Sequence, residues 1–244
     1  KAMINSVSGK EEVMRTIFPL AKKYGGLVVC LTLDDEGIPS TAEKRVAIAK
    51  KIIEVAAEYG IDKKDLIFDP LAMTISADNK AALATLEALR IIKNELGCHT
   101  SLGISNISFG LPQREVITAG FYTLALENGL SAAIMNPNSV ETMKAYYAFR
   151  ALHGMDDNCT DYIEHITAYA QAAEQEAMAK AAAMGAGTAS GSGTAGSGAG
   201  SNGQGTAGNG AFASNSGQSK LQHAIIKGLK DQAATLTLQM LGSE

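Results

Sequence analysis

The stretch Ser101-Leu102-Gly103-Ile104-Ser105-Asn106-Ile107-Ser108-Phe109-Gly110-Leu111-Pro112 decides how the chain is read. Its apolar run, Leu102 to Ile104, has the pattern of a buried strand. It delivers the amide of Asn106 into a segment that turns at Gly110 and Pro112. Met3-Ile4-Asn5-Ser6 and Leu66-Ile67-Phe68-Asp69-Pro70 repeat the pattern of an apolar strand ending on a short polar side chain. Three such residues at the ends of three parallel strands form a convergent site for a flat, hydrogen-bonding ligand.

Outward from these segments, strand-like and helix-like stretches alternate up to about residue 170. Strands are expected at 2–6, 25–33, 66–72, 100–107 and 131–136, as nearly continuous apolar runs of the kind covered on both faces. Helical spacing occupies 10–24, 41–60, 78–97 and 114–129, with one longer helical stretch after 139. Ser40 followed three residues later by Glu43 reads as a capping box. Gly25, Gly60, Gly97 and Gly129 stand where helices end on a left-handed residue. Repeated βα units imply a parallel sheet, doubly wound or a (β/α) barrel. Five strands fall short of the eight that a closed barrel needs, and three βα units would occupy about 75–100 residues at the usual barrel length. The chain starts at Lys1-Ala2 and enters a strand at once, so both ends are expected to be cut from something longer.

Composition changes sharply after the alternating region. Residues from about 185 to 218 are almost all Gly, Ala, Ser, Thr and Asn, a flexible linker by composition. Gly191, Gly193 and Gly196 spell a GxGxxG there, but no strand precedes it and no helix follows, so chance explains the match. Beyond it, Leu221, Ile225, Leu229, Leu236 and Met240 recur at helical spacing and open a further domain. The expected organisation is 1–170, 171–218 and 219–244.

The net charge is −4, with no basic stripe or interleaved aromatics of a nucleic-acid surface. Cys30, Cys98 and Cys159 are widely spaced and odd in number, which speaks against both a disulfide framework and a zinc site. No uncharged run reaches the ~18 residues of a membrane span. The expectation is a cytoplasmic protein.

Several residues carry possible chemistry. Asp69 precedes Pro70 and is thereby held extended. A carboxylate in that place accepts paired hydrogen bonds from an N–H/NH₂ edge; a loop-fixing or capping Asp is the competing reading. Asn5 and Asn106 each offer an acceptor and two donors, suited to a lactam edge or a ring nitrogen, or to a turn. Asn136, before Pro137-Asn138-Ser139, ends the last strand and either meets ligand or caps the next helix. Arg114 opens a helix eight residues after Asn106, placed for an acidic ligand tail or for solvent. Asp34, Asp35 and Glu36 fit a solvated turn better than a metal site, given Gly37-Ile38-Pro39 after them. His99, His153, His165 and His223 show no paired spacing, and no Ser-His-Asp arrangement or GxSxG elbow occurs.

Taken in order, these stretches resemble the pterin-binding methyltransferase domain shared by cobalamin-dependent methionine synthase and the methyltetrahydrofolate:corrinoid methyltransferases. The resemblance runs over about residues 2–170, through Ile4-Asn5-Ser6-Val7-Ser8-Gly9, Leu31 to Pro39, Phe68-Asp69-Pro70-Leu71, Ser105 to Pro112 and Ala133-Ile134-Met135-Asn136-Pro137. Leu221 to Gly228 is similar to the start of the helical cap of a corrinoid module. The resemblance implies a TIM-type (β/α)8 barrel lacking its first three βα units. That barrel would bind 5-methyltetrahydrofolate and give its N5 methyl to cob(I)alamin held on another domain. It further implies that Asp69 and Asn5 hold the pterin ring, that Asn106 contacts N5, and that Arg114 places the folate; Asn136 is a further binding candidate. Its implied partners are a corrinoid-binding domain or, in the alternative reading, a separate corrinoid protein and, for methionine synthesis, a homocysteine-binding domain.

Departures accompany the resemblance. The Asp-x-His-x-x-Gly cobalt-ligating motif and the zinc-binding cysteines of a homocysteine domain are absent from these residues. Dihydropteroate synthase also binds pterin on a similar barrel, but its last strand carries Lys-x-x-Arg-x-His where this chain has Met135-Asn136-Pro137-Asn138. A non-catalytic scaffold is the reading from a different class.

Overall fold

The structure is a computed structural model and describes residues 1–186. Five parallel strands lie side by side in chain order: β1 (Met3–Ser8), β2 (Leu27–Leu31), β3 (Leu66–Asp69), β4 (His99–Gly103) and β5 (Ala132–Ile134). The helices between and after them are α1 (Glu11–Tyr24), α2 (Ala42–Glu58), α3 (Ala81–Asn94), α4 (Arg114–Glu127), α5 (Val140–Leu152) and α6 (Thr160–Ala186). This βα repetition without strand reversal is an α/β fold consistent with part of a TIM-type barrel wall, with β1 and β5 at its edges among the described residues. Residues up to Tyr162 form one compact unit, and α6 from Ile163 onward belongs to a second. The expected linker, the GxGxxG stretch and the helix after 219 lie outside the described residues.

Helices cover one face of the sheet. Val7, Val28, Cys30, Leu66 and Phe68 point to that face and pack with Met14, Phe18 and Ile52 of α1 and α2. Leu102 and Ile104 continue the layer against Leu86, Leu89, Phe121 and Tyr122. Burying such side chains contributes about 1.5–3 kcal/mol each. The alternate residues face the other way: Asn5, Val29 and Ile67 share one register row, and Leu31 and Asp69 share the next. The second face is less covered at its edges, where Met3 and Ile134 are exposed.

The elements begin and end where local chemistry changes. Gly25 takes φ +69° and its N–H bonds to Ala21 O, which stops α1 before β2. The cap of α2 falls one residue later than expected: Thr41, not Ser40, accepts the Lys44 N–H, so Glu43 is not in capping-box position. The expected 100–107 strand ends at Gly103, and Asn106 sits in a 3-10 turn over Ile104–Ser108. The single long helix expected after 139 is two, α5 and α6. Gly154, Asn158 and Cys159 take positive φ between them. The Asp156 carboxylate then accepts the Asp161 and Tyr162 N–H groups and restarts the helix. No helix among the described residues is long and apolar enough to cross a membrane.

Candidate functional site

Asp69 is the last residue of β3 and is only 9% exposed. Its Oδ1 accepts the backbone N–H of Leu71 at 2.8 Å. Leu71 has φ +67°, a left-handed conformation that costs a branched residue about 1–2 kcal/mol. The surrounding bonds hold it there: Leu71 O accepts Arg45 Nη1 at 3.0 Å and Thr85 Oγ1 at 3.1 Å. Burial raises the Asp69 carboxyl to about 6, against the opposing pull of the Leu71 N–H bond and the Arg45 charge. At neutral pH it is mostly ionised. No second bond to this carboxylate is present among the described residues, so one oxygen is free for a ligand.

Asn5 lies within β1 on the same face as Asp69, opposite Val29, in the row that continues to Ile67. It is therefore one level below Asp69, about 6.6 Å along the strand direction, and two strands aside, about 9.6 Å. The register slips between Asn5 and Val7, which returns Val7 to the helix-covered core while Asn5 stays on the open face.

Asn106 is exposed, and its side chain lies over Gly103. A Cβ added there would stand 3.2 Å from Asn106 Nδ2, so glycine at 103 leaves room for the amide. Among the described residues neither the Asn5 nor the Asn106 side-chain amide has a hydrogen-bond partner. The turn that carries Asn106 is stapled to the loop carrying Asp69: Thr74 Oγ1 and Ser76 Oγ donate to Phe109 O at 2.7 and 2.9 Å, and Ile75 N–H donates to Ile107 O.

Arg114, the first residue of α4, folds back on the same turn. Its Nη2 donates to Ser105 O at 2.7 Å and its Nε to Ser108 Oγ at 3.2 Å, and the guanidinium lies over the Phe109 ring. It also lines, with Asn136, Ser105 and Met135, a cleft of about 340 Å³ between the ends of β4 and β5 and the starts of α4 and α5. Arg114 and Asn136 thus meet in one concavity, while Asn5, Asp69 and Asn106 do not line it. Asn136 Oδ1 accepts the Asn138 N–H at 3.0 Å, so the residue also shapes its own turn. Asp34 exchanges backbone bonds with Gly37, and its Oδ1 accepts the Glu36 N–H: a tight turn. No cluster of metal-ligating side chains occurs among the described residues.

Two residues escaped the sequence reading. Arg45 sits near the start of α2 beside Glu43 and Lys44, yet it is 2% exposed and bonds the backbone carbonyls of Pro39, Pro70 and Leu71, the last two in the loop that follows Asp69. Ser101, one register step beyond the Phe68–Thr100 pair and so beside Asp69, carries a buried hydroxyl without a partner among the described residues. No local pattern marks either one.

A parallel sheet covered by helices on one face, with a buried carboxylate at the end of β3 and unpartnered amides within β1 and after β4, defines an α/β protein with a candidate ligand-binding face. Residues 1–136, more than half of the sequence, match the family described as pterin binding enzyme, and the chain belongs to that family. It is 36% identical over 165 residues to the methylcorrinoid:tetrahydrofolate methyltransferase of Eubacterium limosum, covering 66% of this chain and 60% of that protein. It is 33% identical over 156 residues to the methionine synthase of Mycobacterium tuberculosis, covering 59% of this chain and 13% of that one. The methionine synthase of Mycobacterium leprae is 33% identical over 153 residues, 57% of this chain and 13% of that protein. The family resemblance drawn from the motifs is borne out.

Proposed function

We propose that the chain binds 5-methyltetrahydrofolate on the open face of its sheet and serves transfer of the N5 methyl group to cob(I)alamin on a corrinoid domain. The observation that carries this reading is the buried Asp69 carboxylate, with one oxygen tied to Leu71 and the other free, on a face that also carries the unpartnered amides of Asn5 and Asn106. A pterin presents an N–H/NH₂ edge that such a carboxylate can accept, and a lactam edge that an amide can complement.

The chemistry assigns the roles. Asp69 holds the ring by its charged acceptor, and burial strengthens that bond by excluding water. Asn5, a level deeper, meets another edge of the same ring. When the methyl leaves, the C–N5 bond breaks and N5 keeps the electron pair, so N5 must gain a proton or a hydrogen bond. The Asn106 amide, unencumbered over Gly103, can present either its N–H or its carbonyl to N5 and so follow that change. The corrinoid supplies the nucleophile, so no protein nucleophile is required. Arg114 braces the Asn106 turn and faces the cleft at which an acidic folate tail would leave the site.

The relative named for methyl transfer from methylcorrinoid to tetrahydrofolate favours a second reading, in which the same residues run the reaction in reverse. The methionine synthase relatives support a role in methionine synthesis as the use of the transferred methyl group. Titration of the full chain with 5-methyltetrahydrofolate tests binding. Saturable binding that Asn5→Ala and Asp69→Ala each weaken at least about tenfold supports the site. No saturation, or indifference to both substitutions, would sink it. Label exchange with free cobalamin in each direction then decides between the two readings.

A further inference from the structure

We propose that Arg45 is a positioning residue for Asp69, joining the loops after β2 and β3 and placing a buried guanidinium on the two carbonyls that follow the ligand-binding carboxylate in the chain. The inference rests on the reading of Asp69 as the carboxylate that meets the ligand.

The geometry is that of a bracket. Arg45 projects from α2 and is 2% exposed, buried where an unpaired cation would be very costly. Its Nε donates to Pro39 O at 2.8 Å, in the loop after β2. Its Nη1 lies within hydrogen-bond distance of Pro70 O at 2.9 Å, Leu71 O at 3.0 Å and Thr85 Oγ1 at 2.9 Å. The first two belong to the loop that presents Asp69, and the third to α3. The planar, forked guanidinium can hold two loops at once; an ammonium on a flexible stem cannot. All its acceptors here are neutral, and no carboxylate is in salt-bridge contact with it among the described residues. A purely structural ion pair is therefore not what keeps this charge in the core.

The Arg45 charge also acts on Asp69. Among the described residues, the Leu71 N–H of its own loop and the Arg45 charge are the groups that favour the ionised carboxylate. Asp78, just before α3, is the second acid whose field reaches Arg45. The bracket also fixes Leu71 in its left-handed conformation, and that conformation aims the Leu71 N–H at Oδ1. Arg45 therefore acts on Asp69 twice, by charge and through the backbone.

The test is made on the full chain without ligand, by carboxylate-detected NMR titration of Asp69 in wild type, Arg45→Gln and Arg45→Lys. Arg45→Gln keeps a donor for the carbonyls but loses the charge, and the Asp69 midpoint is expected to rise by about half to one pH unit. Arg45→Lys keeps the charge, so its midpoint stays within about 0.3 unit of wild type. It cannot span both loops, and exchange of the Leu71 amide accelerates about tenfold. An unmoved midpoint in folded Arg45→Gln overturns the assignment. If that variant does not fold, wild-type Leu71 exchange in Arg45→Lys overturns it instead. A shifted midpoint in a chain that shows no saturable 5-methyltetrahydrofolate binding at any pH removes the folate reading and leaves Arg45 in its role.

Discussion

Leu71 donates its backbone N–H to Asp69 Oδ1 at 2.8 Å while holding a φ of +67°. A strained residue thus occupies one oxygen of the buried carboxylate and leaves the other without a partner among the described residues, so the conformation of one loop residue sets the direction in which the Asp69 carboxylate is open.

Substitution at 71 separates conformation from bulk. Asn tolerates the left-handed region and Val does not. Leu71→Val is expected to lose about 1–2 kcal/mol more stability than Leu71→Asn, and to bind folate more weakly. Urea denaturation of the two variants measures the difference; equal losses would mean that the left-handed backbone is not under constraint.

The Asp69 carboxyl is raised from 3.8 to about 6, burial being the main cause. Between those values the folded chain holds a proton that the unfolded chain has released, so stability falls as pH rises through that window. Above about pH 6 the cost is complete, at most about 3 kcal/mol for a shift of about two pH units. Asp69→Asn keeps an acceptor for the Leu71 N–H and removes the charge. Its expected gain is about 1–3 kcal/mol at about pH 7.5 and close to zero near pH 4. Denaturant midpoints at the two pH values check this, and a gain that does not depend on pH contradicts it.

Asn106→Ala is expected to slow methyl transfer to free cob(I)alamin by about 10–100-fold while changing folate affinity less than about threefold. Single-turnover rates beside binding titrations separate the two effects. Equal losses in both would make Asn106 an ordinary binding residue.

Ser101 Oγ is buried without a partner among the described residues, so Ser101→Ala removes an unsatisfied group and not a bond. The expected change is between zero and a gain of about 1 kcal/mol. Destabilisation beyond about 1 kcal/mol would reveal a bridging water that serves the hydroxyl.

Arg114→Ala removes the donors to Ser105 O and Ser108 Oγ and the cover over Phe109. The variant is expected to lose about 1–2 kcal/mol of stability. Its folate affinity should fall more than that of Arg114→Lys, which retains the charge. Thermal melts and titrations of the pair test both statements.

Much of this was legible in the order of residues. The apolar runs around Val28, Phe68 and Leu102 place the strands because a sheet packed under helices needs them, and Gly25, Gly60, Gly97 and Gly129 all take the positive φ that ends a helix. The break between α5 and α6 was missed, although Gly154, Asp156 and Asn158 are its local signals. Thr41 displaced Ser40 as a cap because two adjacent hydroxyl residues give nearly the same local signal.

By itself the sequence determined the alternation of strands and helices and the polar side chains Asn5, Asp69 and Asn106 in or just after strands, since both depend on periodicity and neighbouring residues. Only the tertiary structure decided the surroundings of each. Register puts Asn5 a level below Asp69, burial raises the Asp69 carboxyl, and Arg45, 24 positions earlier in the chain, holds its loop. Those properties arise from residues distant in the chain, brought together only when the helices close over the sheet and exclude water.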